Sequence, residues 1–390
     1  MDVTLLWSLM PLMVCGMWAI VYLLDYYLNR QADRKYLCIF MSAATLLYVG
    51  HCVFFMRAVE MLTCTDVVYG ICNLAVYPLF LIYIIYMTTG RVRPACWLML
   101  APAVSCGVVY AVLYGLMDEA ERQHFMQQYL YGNSTSGLTG LSLALAWAHN
   151  VSKGLFLLTV VMVFVRGNAL IREFRQNVSA RYADTEGRML LPLHVLLYLF
   201  TVTSLVSVVF LILGRCRFAV GNTFLAIPSI LFSSMLFAIG YVCSQPMFSY
   251  REYGQELDED VPAQELTPEE EHPSRIESLA AEVERLMTEE HLYREHDLRI
   301  TELARRLGTN SKYISLAINQ VIGLSFADYI NCQRIRYARE LRLRHPDLTV
   351  GEIAHRVGYS SMQSFYRNQK KWESHDAKAP KGGGLRETEQ

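Results

Sequence analysis

Seven apolar runs, at residues 4–24, 37–56, 67–87, 95–116, 144–165, 190–213 and 223–242, constrain this 390-residue chain more than any other feature. A helix needs about 20 predominantly apolar residues to cross a bilayer. The run "LYLFTVTSLVSVVFLIL" (197–213) contains no charge. A helix on the surface of a soluble core would show a polar face every 3.6 residues. A buried soluble helix would explain any one run, but not seven in succession. Composition agrees: 53% of residues are hydrophobic and 18% charged, with mean hydropathy +0.23. Asp2 stands where a secretory leader would be basic, and no small-residue cleavage site follows, so the first run is read as a span.

The connections between runs set an orientation. One alternating set carries Arg30, Arg34 and Lys35, then Arg91 and Arg93, then Arg166, Arg172, Arg175, Arg181 and Arg188. The other carries only Arg57, Arg122, Arg215 and Arg217. Positively charged loops stay in the cytoplasm. The expectation is therefore a multi-pass membrane protein, with its N-terminus outside and everything after Val242 inside, in the cytoplasm.

Ionisable groups are costly within a bilayer, so each marks a candidate site. His149 and Lys153 are four residues apart and share a helix face, with Asn150 beside them. By the orientation above they sit in the outer half of the fifth run, His51 in that of the second and Asn73 in that of the third. These five residues are the candidate ligand-binding set, suited to an anionic ligand. The alternative is that Lys153 extends to the interface. "GNALIREFRQNVSARYADTEGR" (167–188) reads as a solvated loop.

No catalytic set stands out: H-E-x-x-H, G-x-S-x-G and the P-loop are all absent, and no pair of carboxylates within the runs suggests a proton path. The ten cysteines include no C-x-x-C and no metal-type spacing. They read as buried apolar residues; Cys64 and Cys216 are read as free thiols, the alternative being that both face the oxidising side and pair. Neither an enzyme nor a cofactor or metal is expected.

Past the last run the text changes. "ELDEDVPAQELTPEEEHP" is acidic and poor in apolar residues, as an extended spacer would be. Next, Ile276, Leu279, Val283 and Leu286 form a stripe too short for a coiled coil. It is expected to pack on the following domain, with a homodimer contact as the alternative. Then "ITELARRLG" (300–308) returns fifty residues later as "VGEIAHRVG" (350–358). In the first copy Ile300, Leu303, Ala304 and Leu307 make one apolar face. Gly308 ends that helix, and Asn310 or Ser311 caps a second one whose apolar face is Ile314, Ala317 and Ile318. A short helix, a glycine turn and a second helix make a helix-turn-helix, whose second helix can enter a major groove. The copy repeats this with Val350, Ile353, Ala354, Val357 and Gly358, and "SFADYINCQRIRYARELRLR" (325–344) reads as one long connecting helix.

Leu303, Ala304 and Gly308, Arg334, Ile335, Ala338 and Leu341, and Ile353, Ala354, Gly358, Tyr359 and Phe365 together resemble the AraC/XylS-type transcription regulators. The resemblance covers about residues 286–371. It implies two reading helices in successive major grooves of double-stranded DNA. By position, it makes Asn310, Ser311, Lys312, Tyr313 and Ser315 candidate DNA contacts in the first unit. In the second they are Ser361, Met362, Gln363, Ser364, Arg367, Lys370 and Lys371. Lys312, Arg367, Lys370 and Lys371 are suited to phosphates, and Asn or Gln to adenine edges. The family usually has an aromatic residue four after Phe365 and a closing G-x-[ST]-P turn. This chain has Gln369 and no such turn, so a polar group falls where packing is expected, at a cost of about 1–3 kcal/mol if buried without a partner.

The expected fold class is all-α: a seven-helix transmembrane bundle followed by a cytoplasmic double helix-turn-helix domain. The expected divisions are 1–245 for the membrane domain, 246–274 for the flexible linker, 275–375 for the DNA-binding domain and 376–390 for a disordered tail. The expected function is a membrane-anchored transcription regulator, with lipid, DNA, a second copy of the chain and an unidentified small-molecule or membrane signal as partners. The alternative is a transporter or membrane interaction protein whose tail is regulatory or no longer binds DNA.

Overall fold

A computed structural model describes residues 3–213, 222–258 and 273–376. Arg215, Cys216 and Arg217, most of the acidic spacer (259–272) and the tail from 377 onward lie outside the described residues. The described residues are helical, without a strand; an isolated antiparallel bridge joins Tyr182 and Arg299. The chain divides into two compact units. One comprises Met1–Arg172 and Leu190–Arg251; the other comprises Glu173–Met189 and the chain from Glu252 on.

The first unit contains α1 (Val3–Asn29), α2 (Ala32–Phe55), α3 (Val59–Thr89), α4 (Ala101–Leu116) and α5 (Glu119–Phe125). It continues with most of α6 (Gly140–Arg181), α7 (Leu191–Leu213), α8 (Asn222–Ser244) and the start of α9 (Tyr250–Asp258). Among the described residues, seven helices are long and apolar enough to cross a membrane. Their outward faces are apolar: Val195, Leu199, Val202, Leu205 and Val209 of α7 are all exposed, as are Val104, Val108 and Val112 of α4. Water would penalise so much contiguous apolar surface; lipid would not. The inward faces carry local polar fastenings. The Tyr22 hydroxyl donates to the Gly240 carbonyl at 2.6 Å. The buried Arg34 guanidinium donates to the carbonyls of Cys243 and, at 2.9 Å, Ser244, satisfying the C-terminal end of α8. Arg34 thus has a structural task besides its contribution to loop charge.

The second unit contains the end of α6, the rest of α9, α10 (Pro273–Glu289), α11 (Ile300–Arg306), α12 (Ser311–Ala317), α13 (Phe326–Arg344), α14 (Val350–Arg356) and α15 (Met362–Asp376). Two expectations need correction. Residues 167–188 are not a solvated loop: α6 continues to Arg181, and Tyr182 and Ala183 are fully buried in the second unit. The chain after the seventh span is helical over Tyr250–Asp258, where an extended spacer was expected. Tyr253 gives that helix a packing surface against Phe174 and Arg181.

The stripe Ile276, Leu279, Val283 and Leu286 of α10 is buried in one core with Leu303, Ala304, Ile314, Ala317, Ile318 and Ile330. A second core joins Ile335, Ala338 and Leu341 of α13 to Ile353, Ala354, Val357, Phe365 and Trp372. Both cores lie along α13. Arg334 on that helix is fully buried, donating to the carbonyls of Tyr293 at 2.6 Å and Glu295 at 2.5 Å, and burial lowers its pKa.

Candidate functional site

Each helix-turn-helix is built from local rules. In the first, the Thr309 amide donates to Ala304 O at 2.9 Å and the Gly308 amide to Arg305 O at 3.4 Å. In the second, Tyr359 donates to Ala354 O at 3.0 Å and Gly358 to His355 O at 3.1 Å. These paired bonds form the Schellman motif, which needs a left-handed residue at the helix end; φ is +61° at Gly308 and +98° at Gly358. The copies start differently. Thr349 and Glu352 form a reciprocal capping box on α14. Glu302 instead accepts from Arg305 at 2.7 Å and Arg306 at 2.9 Å, and those bonds lower its carboxyl pKa.

The second helices of the two units, α12 and α15, carry most of the candidate DNA contacts. Asn310, rather than Ser311, caps α12, accepting from the Lys312 amide at 2.9 Å. Lys312 is exposed, while Ser311 and Ser315 are half-buried. In the second copy, Met362, Gln363, Arg367, Lys370 and Lys371 are exposed. Ser361 caps α15, accepting from the Ser364 amide at 3.1 Å. The Lys371 ammonium is engaged by Asp328. Two candidates are corrected: Tyr313 and Ser364 are both 3% exposed. Tyr313 faces the first core beside Ile314, and Ser364 turns inward beside Phe365. On a helix of 3.6 residues per turn consecutive side chains are about 100° apart, so a run of four or five candidates cannot all share the exposed face.

Gln369 is half-buried, and its amide donates to Glu373 at 2.9 Å, so no orphaned amide enters the core. The aromatic contribution comes three residues later, from Trp372, which is 6% exposed. The helix continues far enough to reach the core without the closing turn.

In the first unit, His149 and Asp66 lie at the centre of a polar cluster. His149 Nε2 is 2.9 Å from Asp66 Oδ2, and its Nδ1 is 3.0 Å from the Leu145 carbonyl. The Tyr114 hydroxyl donates to the same Asp66 oxygen at 3.0 Å. The imidazole stacks on Tyr110, with ring centroids 4.1 Å apart, and Gly70 leaves room for that ring: a Cβ there would lie 2.5 Å from Tyr110. Lys153 donates to Tyr129 Oη at 3.3 Å and to Asn150 Oδ1 at 3.2 Å. A cavity of about 60 Å³ is lined by Asn73, Tyr110, Tyr129, His149 and Lys153 among others. A larger one, about 130 Å³, is mostly aromatic and aliphatic, with His51 and Asn73 on its wall. Tyr69 and Asn73 line both. The structure therefore gathers Asn73, His149 and Lys153 around one space, sets Asn150 beside it as the partner of Lys153, and places His51 in the neighbouring one. Asp66 escaped sequence reasoning because it precedes the third apolar run. Its spacing of four and seven residues from Gly70 and Asn73, one helix face, was the available signal.

A family model described as a helix-turn-helix domain matches residues 303–378. The chain is similar to an uncharacterized HTH-type transcriptional regulator of Bacillus subtilis (strain 168), YtdP, with 35% identity over 79 residues. It is likewise similar to an uncharacterized HTH-type transcriptional regulator of Staphylococcus aureus (strain MSSA476), SAS0078, with 33% identity over 79 residues. Both matches cover 20% of this chain and 10% of the relative, so the chain spans about a tenth of the length of the curated relatives it matches. No solved structure matches significantly. The matched residues form a helix-turn-helix domain similar to those of HTH-type transcriptional regulators.

Proposed function

We propose that this chain is a membrane-anchored transcription regulator whose C-terminal domain reads double-stranded DNA through α12 and α15. The observation that carries this reading is the pair of helix-turn-helix units sharing α13, in the region matched by the helix-turn-helix family. Exposed Lys312, Arg367 and Lys370 supply phosphate contacts, and exposed Gln363 can read a base edge. Seven helices anchor the protein in a bacterial inner membrane, with the N-terminus outside. The asymmetry of arginine and lysine among the connections supports that orientation, which puts the DNA reader in the cytoplasm.

The membrane half is read as the sensor. The adjoining cavities suit a small amphipathic ligand, with an apolar body in the larger and a polar head near His149 and Lys153. Ligand binding changes DNA reading only if the ligand binds two states of the chain with different affinity.

The test is a gel shift with the full chain in lipid nanodiscs, titrated against a duplex DNA library over a range of salt. Selective binding whose affinity falls steeply with salt is the expected result. Absence of binding at low salt would remove the DNA-reading role. A reporter fused after Gln390 tests orientation separately: activity on the periplasmic side is incompatible with promoter reading.

A further inference from the structure

The segment that follows α6 is built into the DNA-reading unit. Tyr182 bridges to Arg299, the Ala183 amide donates to Leu298 O at 3.1 Å, and Asn331 Nδ2 donates to Ala183 O at 3.0 Å. Arg188 makes two 3.1 Å bonds to Asp297, and its guanidinium lies 4.4 Å above the Tyr182 ring. These contacts aim two carboxylates at one place. Asp184 Oδ2 accepts from the Ser360 hydroxyl at 2.5 Å, and Glu186 accepts from the Ser361 hydroxyl. Ser361 is the residue that caps α15.

A helix N-terminus presents free amides and a partial positive charge, and DNA-binding helices use such ends and their hydroxyls to hold phosphate oxygens. Asp184 and Glu186 put anionic oxygens on Ser360 and Ser361, as a DNA phosphate would. Two negative charges fixed there also oppose the approach of the duplex backbone, since like charges brought together at an interface are costly.

We propose that Asp184 and Glu186 form a built-in phosphate mimic that masks the second reading helix, and that DNA must displace it. This rests on the reading of α15 as a DNA contact. The mask is the direct continuation of α6, the helix that also carries His149 and Lys153. A signal that shifts the end of α6 would move the carboxylates off Ser360 and Ser361 and expose the reader. The acidic spacer at 259–272 is then not the required route of coupling.

The experiment compares the full wild-type chain with Asp184→Asn/Glu186→Gln in nanodiscs, using duplex fragments selected from a random library. The two amides keep hydrogen-bonding oxygens for the serines and lose only the charge. Affinity should rise about tenfold, the equivalent of about 1.4 kcal/mol, in moderate salt. The gain should shrink in high salt, because screening weakens the repulsion being removed. As a second variant, Asp184→Asn alone keeps both serine hydroxyls and removes one of the two charges, and should tighten binding by less than the double variant does. Wild type and both variants binding DNA equally, or the variants binding less, overturns the mask and leaves the DNA-reading role standing. If none of the three binds DNA at low salt, the DNA-reading role itself falls, and the mask with it.

Discussion

Asp66 and His149, separated by 83 residues in sequence, meet at 2.9 Å between α3 and α6. Asp66 is 3% exposed and also receives the Tyr114 hydroxyl, so the imidazole, the carboxylate and the phenol act as one unit. Groups in one hydrogen-bonded network lose stability non-additively when removed. Asp66→Ala and His149→Ala should each lower the thermal stability of the nanodisc-reconstituted chain. The double variant should lose less than the sum, with a coupling energy of about 1–3 kcal/mol. Strict additivity would mean that the contact contributes nothing.

Trp372 and Gln369 divide the labour at the end of α15. Trp372→Ala should destabilise the second helix-turn-helix by about 3–5 kcal/mol, the usual range for truncating a buried aromatic residue. Gln369→Ala should stay within about 0.5 kcal/mol, as expected for a partly exposed side chain. Hydrogen exchange of the α15 amides in the full chain measures both, and equal effects would contradict the packing described above.

The two turn glycines are not equivalent. A Cβ on Gly358 would lie 2.8 Å from the Arg294 carbonyl oxygen, whereas one on Gly308 would meet nothing within 4 Å. Gly308→Ala should cost about 1–2 kcal/mol for the left-handed backbone alone. Gly358→Ala adds overpacking worth about 1–3 kcal/mol more. The ranking is checked by exchange protection of α11 and α14.

Lys312 and Gln363 should fail in different ways. Lys312→Ala should weaken DNA binding on every sequence and reduce the slope of log affinity against log salt by about 0.9. Gln363→Ala should relax preference at one base pair by about 1–3 kcal/mol while leaving the salt slope intact. Selection from a random duplex library, repeated at several salt concentrations, separates the two.

Acid should act through Glu302. Its carboxyl pKa is lowered by hydrogen bonds from Arg305 and then Arg306. The unfolded chain therefore takes up a proton at this site at higher pH than the folded chain does. The stabilisation is present above the ordinary carboxylate range and is lost as pH falls through the lowered value. In Glu302→Gln the acid limb of the C-terminal domain's stability curve should be flatter, as read by circular dichroism of the full chain between neutral and acid pH.

Composition and periodicity alone were enough to read seven apolar helices and the duplicated helix-turn-helix. Both are properties of contiguous text: run length for the first, and the spacing of Leu303, Ala304 and Gly308 and of Ile353, Ala354 and Gly358 for the second. Capping residues and glycine turns act within a few positions, so they too were legible. Only the folded chain decided that Asp66 belongs with His149, that Trp372 fills the place Gln369 leaves, that Tyr313 and Ser364 turn inward, and that Asp184 and Glu186 rest on Ser360 and Ser361. Each of these depends on which faces of separate helices pack together, or on how far a helix continues before its chain turns. A linear pattern carries the tendency of a residue to be buried, but its partner is chosen by packing across the whole unit.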